Sequence, residues 1–187
     1  LQGNEEGFGT HLPLGDLKIA HRYREGSAAD VTNYRRELNL NNGTANVSYN
    51  IKGVQYTTTY FSSNPDDVVV VHYQASQPGA ISFDITADLL RHQATARAEN
   101  HSMVIEGVCR KDHERCGGVQ FYGRASVTTQ GGTVSENYGM LSVEGADEVT
   151  LIIDLRTDYR SIHEALSLNP DADLSQTARP LAEVRAT

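Results

Sequence analysis

NYRRELNLNNGTANVSYNIKGVQYTTTYFSSNPDDVVVVHYQAS, residues 33–76, is the stretch that decides the fold. Large or β-branched side chains recur at every second position in Tyr49, Ile51, Val54, Tyr56, Thr58 and Tyr60, on both sides of a Lys52-Gly53 turn. A period of two is the pattern of a sheet with one wet face and one dry face. Asn64-Pro65-Asp66 forms a corner that stops the second strand before the apolar run 68–71. The spacing therefore predicts three consecutive antiparallel strands joined by tight turns.

The pattern continues outward in both directions. A strand is expected over 16–24, with Leu17, Ile19 and His21 facing one way, and another over 31–40, ended by the turn residues Asn41-Asn42-Gly43. Further strands fit 80–87, 94–97, 102–108, 119–129, 133–137, 140–143 and 149–155. Gln77-Pro78-Gly79, Gly131-Gly132 and 145–148 supply turns between them. That is about eleven strands at the spacing of sandwiches and barrels, with links too short for crossover helices. The expected fold is all-β, an antiparallel β-sandwich (supersandwich-like) spanning 1–160. After Tyr159 the composition shifts. Residues 161–166 read as a short helix capped by Ser161, and Leu174, Ala178, Leu181, Ala182 and Val184 mark a second, weakened by Pro180. Residues 161–187 are thus expected to form a helical linker segment toward a separate domain.

Bulk properties narrow the function. At 187 residues the chain is one domain by length and buries about 70% of its unfolded surface without a metal or disulfide. The net charge of −8 and scattered basic residues argue against a nucleic-acid partner. No apolar run approaches a membrane span, so no membrane partner is expected. The polar opening LQGNEEGFG reads as a loop, and its lack of an initiator Met suggests an excised or mature fragment.

No complete catalytic motif is present. Cys109, His113 and Cys116 have a spacing that would clasp zinc only with a fourth ligand, such as His101, Asp112 or a remote residue. The same cysteines could instead stay as thiols or close a disulfide, and the disulfide Cys109–Cys116 is preferred to zinc. His11, before a tight Leu-Pro-Leu-Gly loop, is either a solvated residue or a donor to a ligand hydroxyl; composition favours the first. The carboxylates Asp66, Asp67, Asp84, Asp88, Asp147 and Glu148 are numerous enough for glycosidase chemistry, but most sit where turns use Asp and Asn. Nine tyrosines and no tryptophan leave Tyr49, Tyr56 and Tyr60 as a possible sugar-stacking platform or as ordinary half-buried sheet residues. Three Asn-x-Ser/Thr triplets, at Asn42, Asn46 and Asn100, are read as incidental.

Several words carry a resemblance when taken in order. They are PLGDL (13–17), YRRELNL (34–40), GVQYT (53–57), FSSNPD (61–66), GGTV (131–134), VEGADEVTL (143–151) and TDY (157–159). Together they resemble the N-terminal β-sandwich domain of glycoside hydrolase family 95, the α-L-fucosidase family. Thr58-Thr59 stands where that family usually has Arg-Glu, and the Cys109–Cys116 loop is unusual for it. The resemblance implies a multidomain, secreted or periplasmic enzyme that removes terminal α-L-fucose with inversion, using a helical (α/α)6 barrel beyond Thr187. It implies no cofactor and no catalytic residue within this chain. The expected partners are the helical catalytic domain of the same polypeptide and, through it, a fucosylated oligosaccharide. His11 becomes a candidate to wall the active-site entrance. The family domain normally begins upstream of Leu1, which would leave a sheet edge open. A free-standing carbohydrate-binding β-sandwich module is the alternative.

Overall fold

The computed structural model describes residues 14–89, 93–108 and 119–158. Twelve strands follow in chain order: β1 Asp16–Arg22, β2 Thr32–Asn39, β3 Thr44–Ile51, β4 Val54–Ser63, β5 Val68–Ala75 and β6 Ile81–Asp88. They continue as β7 Gln93–Glu99, β8 Ser102–Val108, β9 Gln120–Gln130, β10 Thr133–Asn137, β11 Met140–Ala146 and β12 Glu148–Thr157. Every strand pair is antiparallel. The only described helix is a single 3-10 turn, Ala28–Asp30. Ser27 and Asp30 cap it reciprocally, and the Lys52 ammonium holds it 2.7 Å from Asp30. The expected helical segment 161–187 lies outside the described residues.

The strands form two unequal layers. A four-stranded sheet runs β1-β6-β11-β10 and an eight-stranded sheet runs β2-β3-β4-β5-β12-β9-β8-β7. The chain changes layer at the 3-10 turn, at Pro78-Gly79, between β6 and β7, at Gly131-Gly132 and at Asp147. The Asp147 carboxylate accepts from the Gly79 N–H at 2.6 Å and so locks two of these corners together. Between the layers Phe83, Ile85, Leu141 and Val143 of the narrow sheet meet Val71, Tyr73, Val149 and Leu151 of the wide one. This packing of two apolar faces is the energetic centre of the domain.

The deciding hairpin forms as its alternation requires. Lys52 (φ 46°) and Gly53 (φ 85°) both adopt the left-handed region of a type I′ turn, whose twist matches that of the flanking strands. The resulting register opposes Tyr49 to Tyr56, Ile51 to Val54 and Val47 to Thr58, so the alternating residues share one face. That face is dry only in part. The narrow sheet ends at β1, while β2 and β3 extend beyond it. Consequently β2 is exposed along nearly its whole length, with Tyr34 and Leu38 60% and 66% exposed, and no residue of β3 but Ile51 is fully buried.

Candidate functional site

The register of β3 and β4 first decides the fate of the tyrosines. Tyr49 and Tyr56 stack with ring centroids 5.4 Å apart. Tyr23, just beyond β1, meets Tyr56 edge-on at 5.3 Å and shares a 3.0 Å hydroxyl–hydroxyl hydrogen bond with Tyr49. His21 extends the group by packing edge-on against Tyr73 and Phe83. Burial, and then the hydrogen bond shared with Tyr23, push the Tyr49 phenol well above its ordinary pKa. Desolvation of its ring by these neighbours pulls the His21 imidazole below its own, although the residue as a whole stays exposed. Tyr49 and Tyr56 therefore form a small second core between the layers rather than a sugar-stacking platform. Only Tyr60 stays at the margin, 36% exposed. Tyr23 and His21 were not singled out with these tyrosines in the sequence; their spacing along the first strand was the available signal.

The acidic residues are dispersed and engaged. Asp84 lies between the Arg22 guanidinium and the Ser142 hydroxyl, the latter donating at 2.6 Å, and Arg22 also reaches Glu144. Asp88 pairs with Lys18 at 2.6 Å, and Asp67 with Arg156. Asp147 serves the Gly79 corner. Glu148 accepts from the side-chain amides of Gln74 and Gln130, both at 3.1 Å, on the outer face of the wide sheet, 3.6 Å from the His72 ring. Glycoside hydrolysis by two carboxyl groups needs one of them held protonated opposite the other. Here the Arg22 guanidinium instead draws the Asp84 carboxyl below its ordinary range, Arg97 does so for Glu99, and Lys52 for Asp30. Among the described residues no three His, Cys, Asp or Glu side chains cluster as metal ligands. His11, Cys109, His113 and Cys116 lie outside the described residues.

A cavity lies where β1 begins and β6 and β12 end. It has a volume of about 180 Å³ and is walled mainly by Leu14, Leu17, Ala87, Leu89, Ile153 and Leu155. Gly15 forms its rim. A Cβ there would stand 2.4 Å from the Asp88 carbonyl oxygen, so the chain passes between β1 and β6 only without a side chain. Leu14 to Leu17 of the PLGDL word thus line this cavity. Asp16, Arg124 and Asp154 also line it, but the surface it presents is mostly apolar, which suits an apolar group better than a sugar, whose hydroxyls need partners.

Two antiparallel sheets packed face to face define an all-β sandwich domain. The chain belongs to the family described as glycosyl hydrolase family 65, N-terminal domain, whose model matches residues 1–162. It is therefore a glycoside hydrolase N-terminal domain, and the family shown is 65, where the sequence words resembled family 95. A curated relative, "Alpha-L-fucosidase 2" of Arabidopsis thaliana, is 31% identical over an alignment covering 78% of this chain and 20% of the relative. A solved structure, "Putative kojibiose phosphorylase from human microbiome", superposes with a TM-score of 0.51 at 10% identity. That match covers 90% of this chain and 24% of the other, and it speaks for the fold alone. The chain thus spans about a fifth of the curated relative's length.

Proposed function

We propose that this chain is the non-catalytic N-terminal domain of an α-L-fucosidase of the family 95 type. In this reading hydrolysis of terminal α-L-fucosyl linkages, with inversion, falls to a helical (α/α)6 barrel that follows the domain. Residues 1–160 are the sandwich and 161–187 the linker to that barrel. The observation that carries the reading is the 31% identity to an α-L-fucosidase, three times the identity to the phosphorylase of the same fold. The engagement of Asp84, Asp88, Asp147 and Glu148 in corners and ion pairs supports a structural role. His11 is the residue of this chain proposed to reach the substrate entrance of the whole enzyme.

The polypeptide that contains this chain should release L-fucose from a fucosylated oligosaccharide without added phosphate, while residues 1–187 alone release none. Phosphate-dependent cleavage of a glucose disaccharide by that polypeptide would refute the fucosidase assignment. Turnover by residues 1–187 alone would refute the non-catalytic role. His11→Ala in the whole enzyme should raise KM more than it lowers kcat.

A further inference from the structure

Each sheet ends in two edge strands, and of these four β2 is the one left bare. β7 has a single exposed residue, Thr95, among its described side chains. β10 is only five residues long, and β1 carries Lys18, paired with Asp88. Cover, short length and lysine are the usual means of keeping an edge from pairing with another chain. β2 has none of them. It runs eight residues without Lys or Pro, and seven of the eight are exposed. No strand among the described residues pairs with its far side. Its bulge lies between Thr32 and Arg35, so residues 35–39 keep a regular register with β3. Alternate backbone N–H and C=O groups along them therefore point away from the sheet. We propose that β2 pairs antiparallel with β2 of a second copy of this chain, joining two eight-stranded sheets into one.

The order of charges along β2 selects a second copy as the occupant. A two-fold pairing that keeps the faces of the joined sheet continuous must centre on a residue, so that opposed side chains lie on one face. Centred on Arg35 or on Glu37, it sets that charge against its own copy with no opposite pair in return. Centred on Arg36, it sets Arg35 opposite Glu37 of the second copy, twice by symmetry. Within one chain Arg35 already donates to Glu37, from Nε at 3.1 Å and Nη2 at 2.7 Å, and both bonds go to Oε2. The other carboxylate oxygen is left for Arg35 of the second copy, so four charges of alternating sign close across the seam. On the opposite face Tyr34 and Leu38, 60% and 66% exposed, meet across it. The like-charged contact of Arg36 with its own copy lies on the exposed strand, where water and salt screen it. Two opposite-sign pairs outweigh that one repulsion. A seam of one strand per copy falls short of the roughly 1,000 Å² of a stable interface, so the dimer is weak, with a Kd in the micromolar range or above. The pairing does not rest on the fucosidase reading, and absence of fucose release would leave it untouched.

Sedimentation equilibrium of the 187-residue chain, carried up to millimolar concentration, should show monomer and dimer in exchange. Arg35→Glu places carboxylates opposite one another at both ends of the seam, and Glu37→Arg does the same with guanidinium groups. Each variant alone should dimerise at least about tenfold more weakly than the wild type. An equimolar mixture of the two should recover the association, because every opposed pair is again of opposite sign. Both positions are exposed, so the variants should keep the wild-type melting curve. The register is read separately by cross-linking in a Cys109→Ser, Cys116→Ser background. There Arg36→Cys should link to its own copy on mild oxidation, since facing Cα atoms of an antiparallel pair lie about 4.5–5.5 Å apart, within disulfide reach. Leu38→Cys should not, because its own copy is displaced by four residues, roughly 13 Å along the strand. A wild type that stays monomeric at millimolar concentration would overturn the proposal. So would single variants that dimerise as well as the wild type, a mixture that associates no better than its components, or Leu38→Cys linking more readily than Arg36→Cys.

Discussion

Replacing Gly15 by alanine tests how tightly β1 is held against β6. The new Cβ would meet the Asp88 carbonyl oxygen at 2.4 Å and the Leu89 Cα at 3.0 Å, both backbone atoms that cannot rotate away. Gly15 also has φ +152°, a region that L residues rarely enter. The collision should cost about 2 kcal/mol by analogy with overpacking, and the backbone strain about 1–2 kcal/mol more. At 2–4 °C per kcal/mol for a chain of this size, the melting temperature should fall by about 10 °C. Gly53→Ala provides the comparison. Gly53 has φ +85° but nothing within 4 Å of its added Cβ, so it carries strain without collision. Its cost should stay near 1–2 kcal/mol. Urea unfolding of both variants, with slopes unchanged from wild type, measures the difference directly. If Gly15→Ala proves no more costly than Gly53→Ala, the close approach of β1 to β6 and the shape of the cavity rim are wrong.

Two further substitutions probe the layers. Phe83→Ala, at a fully buried position of the narrow sheet, should lose about 3–5 kcal/mol in urea, whereas Phe61→Ala on the outer face of the wide sheet, 40% exposed in the wild type, should lose under about 1 kcal/mol. Equal losses would contradict the assignment of faces. His21 supplies a pH test. Its folded-state pKa is lowered from the ordinary 6.5 by desolvation of the ring against Tyr73 and Phe83, though the residue stays partly in solvent, so the unfolded chain takes up the proton first. Stability should therefore fall as the pH drops below about 6.5, and the decline should end once the pH passes the folded-state value. His21→Phe should flatten the melting temperature across that window, and an unchanged slope in the variant would clear His21 of the effect.

The strand block of residues 33–76 shows how far a sequence reading reaches. Its period of two and the Lys52-Gly53 turn are local properties, because side chains alternate across any strand and a type I′ turn depends on two adjacent residues. Both were legible, and so was the all-β class. Burial was not. Tyr34, Leu38, Tyr49 and Tyr56 all lie in this alternating stretch, yet the first two are exposed and Tyr56 is buried. The difference is the position of β1, the edge of the narrow sheet, which covers one part of the wide sheet and leaves the rest bare. For the same reason, of the two readings that spacing left for Tyr49, Tyr56 and Tyr60, the closing layer makes Tyr49 and Tyr56 ordinary sheet residues turned inward rather than a stacking platform.

The carboxylates divide the same way. Their placement at strand ends, read from turn chemistry, held for Asp67 and Asp147 at their corners. Their partners came from strands far away in sequence: Arg22 for Asp84 and Arg156 for Asp67. Strand periodicity, turn chemistry and the ordered family words are encoded by neighbours along the chain, and the sequence alone determined them. Which face is dry, which acids are neutralised and where a 180 Å³ apolar cavity opens depend on contacts between two sheets of unequal width. Only the tertiary structure could decide those, because burial belongs to the layer that arrives on top and not to the strand beneath it.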